Sequence, residues 1–139
     1  MKIVNDNNKI NIFMLENSLN VNNYNELNSE IKNLFIKLIK KYKLDLFGYL
    51  KVTVFHNNIC GNYLEIDKLY NSGYKEDIID LKIIVYKNVP VYLEFDEYPL
   101  LAIGKKIKCL NNKYYLEIDN SMDLYQYLEY GKIIYYKNS

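Results

Sequence analysis

Apolar side chains recur at every third or fourth residue between Leu27 and Tyr42, and no other feature constrains the fold as strongly. This spacing places them on one face of an α-helix, which the sequence predicts over residues 24–43. Asn23, with Glu26 three residues later, predicts the N-terminal cap of that helix. An apolar helix face has to be buried, so the rest of the chain must supply a surface for it. The predicted face consists of Leu27, Ile31, Leu34, Phe35, Leu38, Ile39 and Tyr42.

After Phe47 the period of the apolar residues falls from about 3.6 to 2, which predicts strands. Asparagine, glycine and proline separate the strands into hairpins, since these residues favour tight reversals. The predicted hairpins pair residues 47–55 with 62–69, residues 79–86 with 91–97, and residues 105–110 with 113–119. Residues 10–15 and 132–137 predict two more strands, and residues 122–130, which precede Gly131, predict a short helix.

One five-residue pattern, Tyr-Leu-Glu-(Ile or Phe)-Asp, occurs in the return strand of each hairpin, at residues 63–67, 92–96 and 115–119. Alternation along a strand puts its Leu and its Ile or Phe on one face and its Tyr, Glu and Asp on the other. The sequence therefore predicts an α+β fold, in which a twisted antiparallel sheet built from hairpins packs against the long helix. A short C-terminal helix completes a single domain over residues 1–139, and the second sheet face is aromatic and acidic.

The charge of the chain argues against nucleic acid as a partner. The formal net charge is +1, and all eighteen basic residues are lysine. No global field attracts polyanions, and arginine, which makes bidentate contacts to phosphate and guanine, is missing. The prevalence of Asn, Ile, Lys and Tyr is typical of an AT-rich genome, so the abundance of these residues carries little functional information.

The N-terminus and the cysteines predict no export signal and no cofactor. The first eight residues are polar and precede no apolar run of signal-peptide length, so we expect synthesis in the cytoplasm, with later release left open. No segment has the roughly 20 apolar residues of a membrane-spanning helix. Cys60 and Cys109 lack metal-type spacing and are interpreted as two buried free thiols. No cofactor or metal is expected.

Catalytic candidates exist but are weak. The pairs Glu65 and Asp67, Glu94 and Asp96, and Glu117 and Asp119 each place two carboxylates on one strand face, as acid and base catalysis or cation binding would need. A solvated outer sheet face is the favoured explanation, because nothing in the sequence raises a local pKa or supplies the glycine-rich geometry of a calcium loop. His56, the only histidine, falls in a predicted turn. The usual local motifs of hydrolases, nucleotide-binding proteins and zinc proteases are absent, so we expect no enzyme.

Two surfaces are candidates for binding. The C-terminal strand carries Ile133, Ile134, Tyr135 and Tyr136, which are apolar on both faces, and such a strand at a sheet edge favours a partner strand. Sixteen tyrosines add amphipathic contact area. A basic patch for anionic lipid headgroups is the second candidate. Its residues are Lys37, Lys40, Lys41, Lys43, Lys105, Lys106 and Lys108.

In length and in its Asn/Tyr/Ile/Lys-rich style, seen in residues 70–80, the chain resembles the smallest of the OrfX accessory proteins encoded beside clostridial botulinum neurotoxin genes. The resemblance implies a non-enzymatic protein related to tubular lipid-binding folds. It also implies a larger OrfX protein as partner and phosphoinositide as ligand. No motif carries it, so no residue role transfers.

The sequence therefore predicts a non-catalytic accessory or binding protein that acts through a protein partner or as a homo-oligomer, with anionic lipid as a further ligand. The alternatives are a small enzyme in which the carboxylates and His56 converge, and a regulatory binding domain.

Overall fold

The fold was derived from a computed structural model, which describes residues 1–6, 9–14, 19–70, 78–100, 104–119, 126–127 and 130–135. The chain forms two compact units, Met1–Lys87 and Asn88–Ser139, each described by itself. The prediction that residues 1–139 are one domain stays a prediction. The elements are β1 (Lys2–Asp6), β2 (Lys9–Met14), α1 (Tyr24–Tyr42), β3 (Gly48–Asn57), β4 (Gly61–Tyr70), β5 (Ile79–Tyr86), β6 (Val91–Phe95), β7 (Ile107–Leu110), β8 (Lys113–Glu117) and β9 (Lys132–Tyr135).

Helix α1 begins and ends close to the predicted residues. The side chain of Asn23 caps it by accepting a hydrogen bond of 3.1 Å from the backbone N–H of Glu26. At the other end, Lys43 adopts the left-handed conformation and its N–H donates to the carbonyl of Ile39 at 2.9 Å. The expected apolar face is largely buried, but Tyr42 is about half exposed, at 51%, because it lies in the last turn.

The first unit contains a five-stranded sheet with the order β1-β2-β4-β3-β5. Neighbouring strands in this sheet are antiparallel, except that β3 and β5 are parallel. One face, here called the helix-covered face, packs against α1 in a single core. The fully buried side chains of that core include Ile12, Leu27, Ile31, Phe35, Leu50, Val52, Val54 and Leu64.

The second unit contains a four-stranded antiparallel sheet with the order β7-β8-β6-β9. Apolar and polar side chains alternate along its strands, so one face of the sheet is apolar and buried and the other face is polar. The turn between β7 and β8 lies at the predicted residues, Asn111 and Asn112. Their φ angles are positive, at 51° and 64° respectively. These angles are the ones a two-residue turn between twisted strands requires.

The prediction of one sheet built from three hairpins is wrong in two respects, because the strands form two sheets and the second hairpin does not form. Strands β5 and β6 both exist, but they do not form a hairpin: β5 pairs with β3 in the first unit and β6 with β8 and β9 in the second. The turn at residues 88–90 thus marks the boundary between the units. The fold is α+β with two antiparallel-rich sheets, and β1 was not predicted.

Among the described residues, α1 is the one helix assigned as an element. The predicted short helix over residues 122–130 falls mostly outside those residues. Gln126 and Tyr127, which are described, have helical backbone. No helix in the described parts of the chain is both long and apolar enough to cross a membrane.

Candidate binding face

The polar face of the four-stranded sheet is organised around Glu94, which lies in the central strand β6. The strand register places Tyr115 of β8 on one side of Glu94 and Lys132 of β9 on the other. The hydroxyl of Tyr115 donates to Oε2 of Glu94 at 3.0 Å, and Nζ of Lys113 donates to Oε1 at 3.2 Å. Lys113 also lies 3.4 Å from Oδ1 of Asp96. We call Glu94, Asp96, Lys113, Tyr115 and Lys132 the polar row.

The hydrogen bonds of the polar row keep its groups in their ordinary ionisation states. Partial burial raises the pKa of Glu94, but hydrogen bonds from Lys113 and Tyr115 and the charges of Lys113 and Lys132 outweigh it, and the pKa is lowered. The hydrogen bonds to Glu94 and Asp96 raise the pKa of Lys113, and the bond to Glu94 raises that of Tyr115. At neutral pH Glu94 is therefore a carboxylate, Lys113 an ammonium group and Tyr115 a protonated phenol.

The predicted interface strand lies at an edge of this sheet. β9 pairs with β6, and no other described strand pairs with it. Ile133 and Ile134 are half-buried and point to opposite faces, whereas Tyr135 is buried on the apolar face. Tyr136 lies outside the described residues.

The predicted lysine patch is divided between the two units. Lys37, Lys40, Lys41 and Lys43 are exposed at the C-terminal end of α1, and Lys41 lies 5.2 Å from the ring centre of Tyr42. Lys105 is partly buried and forms an ion pair of 3.2 Å with Asp119. Lys106 and Lys108 are exposed on and beside β7.

On the first sheet, the face opposite α1 differs from the solvated face that the sequence predicted. Glu65 is only 8% exposed, and its Oε1 accepts a hydrogen bond of 3.1 Å from the hydroxyl of Tyr63. Lys9 lies 3.9 Å from the same carboxylate. Burial and the charge of Asp67 raise the pKa of Tyr63. Glu65 is thus a buried side chain that accepts a hydrogen bond from Tyr63.

A row of stacked aromatic rings crosses four strands on this same face. Phe13 stacks on Tyr63 at 4.4 Å between ring centres, Tyr63 on Phe55 at 5.6 Å, and Phe55 on Tyr86 at 5.4 Å. The register puts these residues directly opposite one another. Tyr63 and Phe55 are buried, so the row stabilises the sheet through cross-strand pairs.

His56 lies within β3, so the prediction that it belongs to a turn is wrong. Its Nδ1 is 2.8 Å from Oδ1 of Asn62, and its Nε2 is 3.0 Å from Oδ1 of Asn58. The turn follows one residue later, where Oδ1 of Asn57 accepts from the N–H groups of Ile59 and Cys60. This histidine orients asparagine side chains beside a turn.

The described residues contain no group of three or more His, Cys, Asp or Glu side chains that could hold a metal ion. Cys60 is buried, which raises the pKa of its thiol to about 11, and Cys109 is exposed. A thiol with so high a pKa is a poor nucleophile at neutral pH. Both cysteines are free, as the sequence indicated, but the prediction that both are buried is wrong for Cys109.

The polar row was not predicted as a unit, although its signal is present in the sequence. Two copies of the Tyr-Leu-Glu pattern lie on β6 and β8, which pair antiparallel, so the Tyr of one copy comes to face the Glu of the other. Only the assumption that β6 pairs with β5 prevented this inference.

Comparison of the chain with protein-family models, with curated proteins and with solved structures gave no match.

Proposed function

We propose that this chain is a non-catalytic accessory or binding protein that acts through a protein partner, and that the partner binds at β9, the last strand of the described four-stranded sheet. One observation carries the proposal: a strand with isoleucines on both faces forms an edge of the four-stranded sheet. An edge strand has backbone N–H and C=O groups that another extended segment can pair with.

The chemistry of this edge suits strand addition. Backbone hydrogen bonds would supply affinity, and side chains on alternate faces would supply specificity. Ile133 and Ile134 are half-buried in the described structure, so a partner strand would cover the remaining apolar surface of both. Lys132, at the start of β9, is the only charged residue of the strand.

The ionisation of the polar row supports a non-catalytic role. A general acid or base works best with a pKa near the working pH, and a nucleophile needs an adjacent base or a lowered pKa. The pKa shifts of Glu94, Lys113, Tyr115 and Cys60 all run the opposite way, towards a permanently charged or permanently protonated group. The alternative of a small enzyme built on His56 and the carboxylates has no comparable support, and neither has a regulatory domain.

Co-expression with the proteins encoded by adjacent genes tests the proposal. We expect the chain to elute with one of them in size-exclusion chromatography, and we expect Ile134→Lys to abolish that complex. Leu110→Lys is the matched control, because Leu110 is an exposed residue on the opposite edge strand, β7. A complex that withstands Ile134→Lys and is lost with Leu110→Lys would refute β9 as the binding edge.

Anionic lipid is a second candidate ligand, favoured by the four lysines at the end of α1. All four are exposed, and none forms an ion pair with a carboxylate among the described residues. Each lysine near an anionic membrane contributes about 1 kcal/mol. Flotation with phosphatidylcholine vesicles, with and without a phosphoinositide, tests this. We expect Lys37→Gln, Lys40→Gln and Lys41→Gln together to abolish binding, and Lys2→Gln, on β1, to preserve it.

Membership of the OrfX accessory proteins stays a prediction. It is compatible with a partner-binding edge and a lysine cluster, and its test is the identity of the neighbouring genes. A neurotoxin cluster beside the gene would favour it, whereas an unrelated neighbourhood would remove its basis.

A further inference from the structure

We propose that the C-terminal half of α1 binds the surface of an anionic bilayer, and that Ile36 enters the lipid interface within a ring of lysines. Anionic lipid is the second candidate of the proposed function, on which this inference rests. The ligand is here a membrane surface of any anionic lipid rather than one particular headgroup. The residues, called the docking face, are Lys32, Ile36, Lys37, Lys40 and Lys43.

Helical spacing puts Ile36 at the centre of the docking face. Lys32 and Lys40 lie one turn before and one turn after it, at positions i−4 and i+4, and Lys37 is the next residue along. The preceding residue, Phe35, is fully buried in the core, whereas Ile36 is 43% exposed. Folding therefore leaves an apolar side chain in water with ammonium groups on several sides of it.

Charge is distributed unevenly along α1. The acidic residues, Glu26 and Glu30, lie in its first half, where Asn20 donates hydrogen bonds to both carboxylates. From residue 31 to residue 44 the chain has five lysines and no acidic residue. The C-terminal half of the helix is therefore uniformly positive, which makes its exposed side complementary to a negatively charged surface.

Helix stability explains only part of this charge. Lys40 and Lys41, in the last turn, interact favourably with the negative end of the helix dipole, and this effect falls off within one turn. Lys32 and Lys37 lie before that turn. Lys37 also lies four residues before Lys41, a spacing at which like charges destabilise a helix. A negatively charged ligand would relieve that repulsion, so binding accounts for lysines that folding does not.

The chemistry of the docking face favours a bilayer over a single headgroup. Its lysines extend over about 16 Å of helix, since an α-helix rises about 1.5 Å per residue. Long lysine side chains at that spacing each reach a different lipid, and an apolar residue between them enters the interface. Recognition of one phosphoinositide would instead need several fixed donors that converge on one phosphate.

Fluorescence tests the position of Ile36 directly, because the chain contains no tryptophan. We expect the emission of Ile36→Trp to shift to the blue when phosphatidylcholine vesicles containing phosphatidylserine are added. Val4→Trp is the matched control, because Val4 is 39% exposed on β1, and its emission should not change. A bound chain in which Ile36→Trp shows no shift, or in which both variants shift equally, would overturn docking through α1.

Vesicles of matched surface charge distinguish a bilayer surface from one headgroup. We expect phosphatidylserine and phosphoinositide vesicles of equal surface charge to bind the chain within about threefold of each other. We also expect salt to weaken binding to both, because the attraction is screened. Binding confined to phosphoinositide vesicles would overturn this inference and leave anionic lipid standing as a ligand of the chain.

Paired lysine variants test the docking face against net charge. Lys37→Gln with Lys40→Gln should lower the vesicle partition coefficient about 25-fold, since each lysine contributes about fivefold. Lys2→Gln with Lys82→Gln removes the same charge from exposed positions on β1 and β5, and binding should change less than about threefold. Circular dichroism spectra establish that both variants are folded. Equal losses would show an effect of net charge alone and refute the docking face.

The outcomes separate this inference from the proposed function. A chain that binds no vesicles, but binds soluble polyglutamate through Lys37 and Lys40, would overturn the bilayer in favour of an acidic protein. Loss of vesicle binding leaves the partner site at β9 standing, because its test is the complex with a co-expressed protein. A chain that binds vesicles through Ile36 and no co-expressed protein would refute the partner and support the docking face.

Discussion

The two sheets use the same five-residue pattern in different ways. In β4 the hydroxyl of Tyr63 bonds to Glu65 two residues along its own strand, whereas in the second sheet Tyr115 bonds across strands to Glu94. The pattern itself fixes which face each side chain occupies. The neighbouring strand decides which tyrosine and glutamate meet, because cross-strand pairs depend on register.

The two glutamates also differ in exposure. The side chain of Glu65 is 11% exposed and lies 3.9 Å from Lys9, whereas that of Glu94 is 19% exposed and lies 3.2 Å from Lys113. Glu65 therefore depends more on its hydrogen bonds, and Glu94 belongs to a row that solvent can partly screen. Glu65 of the first sheet is thus more deeply buried than Glu94 of the second.

Thiol labelling should give the largest contrast between the two units. Cys60 is buried, and with a pKa of about 11 roughly one thiol in a thousand is ionised at pH 8. We expect a maleimide to modify Cys109 at least about a hundredfold faster, because the raised pKa lowers the thiolate fraction of Cys60 about a hundredfold and because Cys109 is exposed. Peptide mass spectrometry assigns each site, and Cys60→Ser is the control. Equal rates would show that the β3–β4 turn is open.

Weakening the packing between α1 and the first sheet should have the next largest effect, on the free energy of unfolding. Phe35 is fully buried between α1 and the first sheet, so we expect Phe35→Ala to lower the free energy of unfolding by about 3–5 kcal/mol. The neighbouring Ile36 is 43% exposed, and Ile36→Ala should cost less than about 1 kcal/mol. Urea denaturation measures both. Similar losses for the two variants would contradict the assigned helix face.

The two glutamates should differ in their contribution to stability. We expect Glu65→Ala to cost about 1–3 kcal/mol, because it removes a buried hydrogen-bond acceptor of Tyr63. Glu94→Ala should cost at most about 1 kcal/mol, because its ion pair with Lys113 is partly exposed. Thermal unfolding at pH 7 compares them. A larger loss for Glu94 would reverse the contrast between the sheets.

The smallest effect should come from the hydroxyl of Tyr115. Its hydrogen bond helps to lower the pKa of Glu94, so Tyr115→Phe should raise that pKa. A lowered pKa stabilises the fold above the ordinary pKa of glutamate, and this stability is lost as the pH falls through the folded value. The variant should therefore have less of this stability near neutral pH and unfold at a slightly higher pH in acid.

Carbon NMR titration of the Glu94 carboxyl measures this change. Tyr114→Phe serves as the control, because Tyr114 contacts the ring of Tyr98 instead. An unchanged pKa in Tyr115→Phe would show that Lys113 and Lys132 alone determine the ionisation of Glu94.

Local elements could be predicted because their signals lie within a few residues. The cap at Asn23, the buried stripe from Leu27 to Leu38 and the turn at Asn111 and Asn112 depend on neighbours three or four positions away. Pairing between strands depends on distant residues. Residues 88–90 are of the types that form hairpin turns, so they predict that β5 pairs with β6. Instead β5 pairs with β3, which lies about thirty residues earlier in the chain.

The candidate site was predictable only in part for the same reason. Ile133, Ile134 and Tyr135 could be selected from their apolar character, but the position of β9 at a sheet edge follows from the strand order. Glu94, Lys113 and Tyr115 come from two strands whose pairing the sequence did not reveal. The burial of Glu65 was likewise invisible, since alternation distinguishes two faces without indicating which of them solvent reaches.

By itself, the sequence determined the period of every element except β1, the ends of α1, the β7–β8 turn and the face that most strand residues occupy. Tertiary structure decided that the strands form two sheets, that β5 lies parallel to β3, and that Glu94 meets Tyr115. Periodicity and capping are short-range properties of the backbone, whereas the choice of a strand's neighbour is a competition among all exposed edges of the chain.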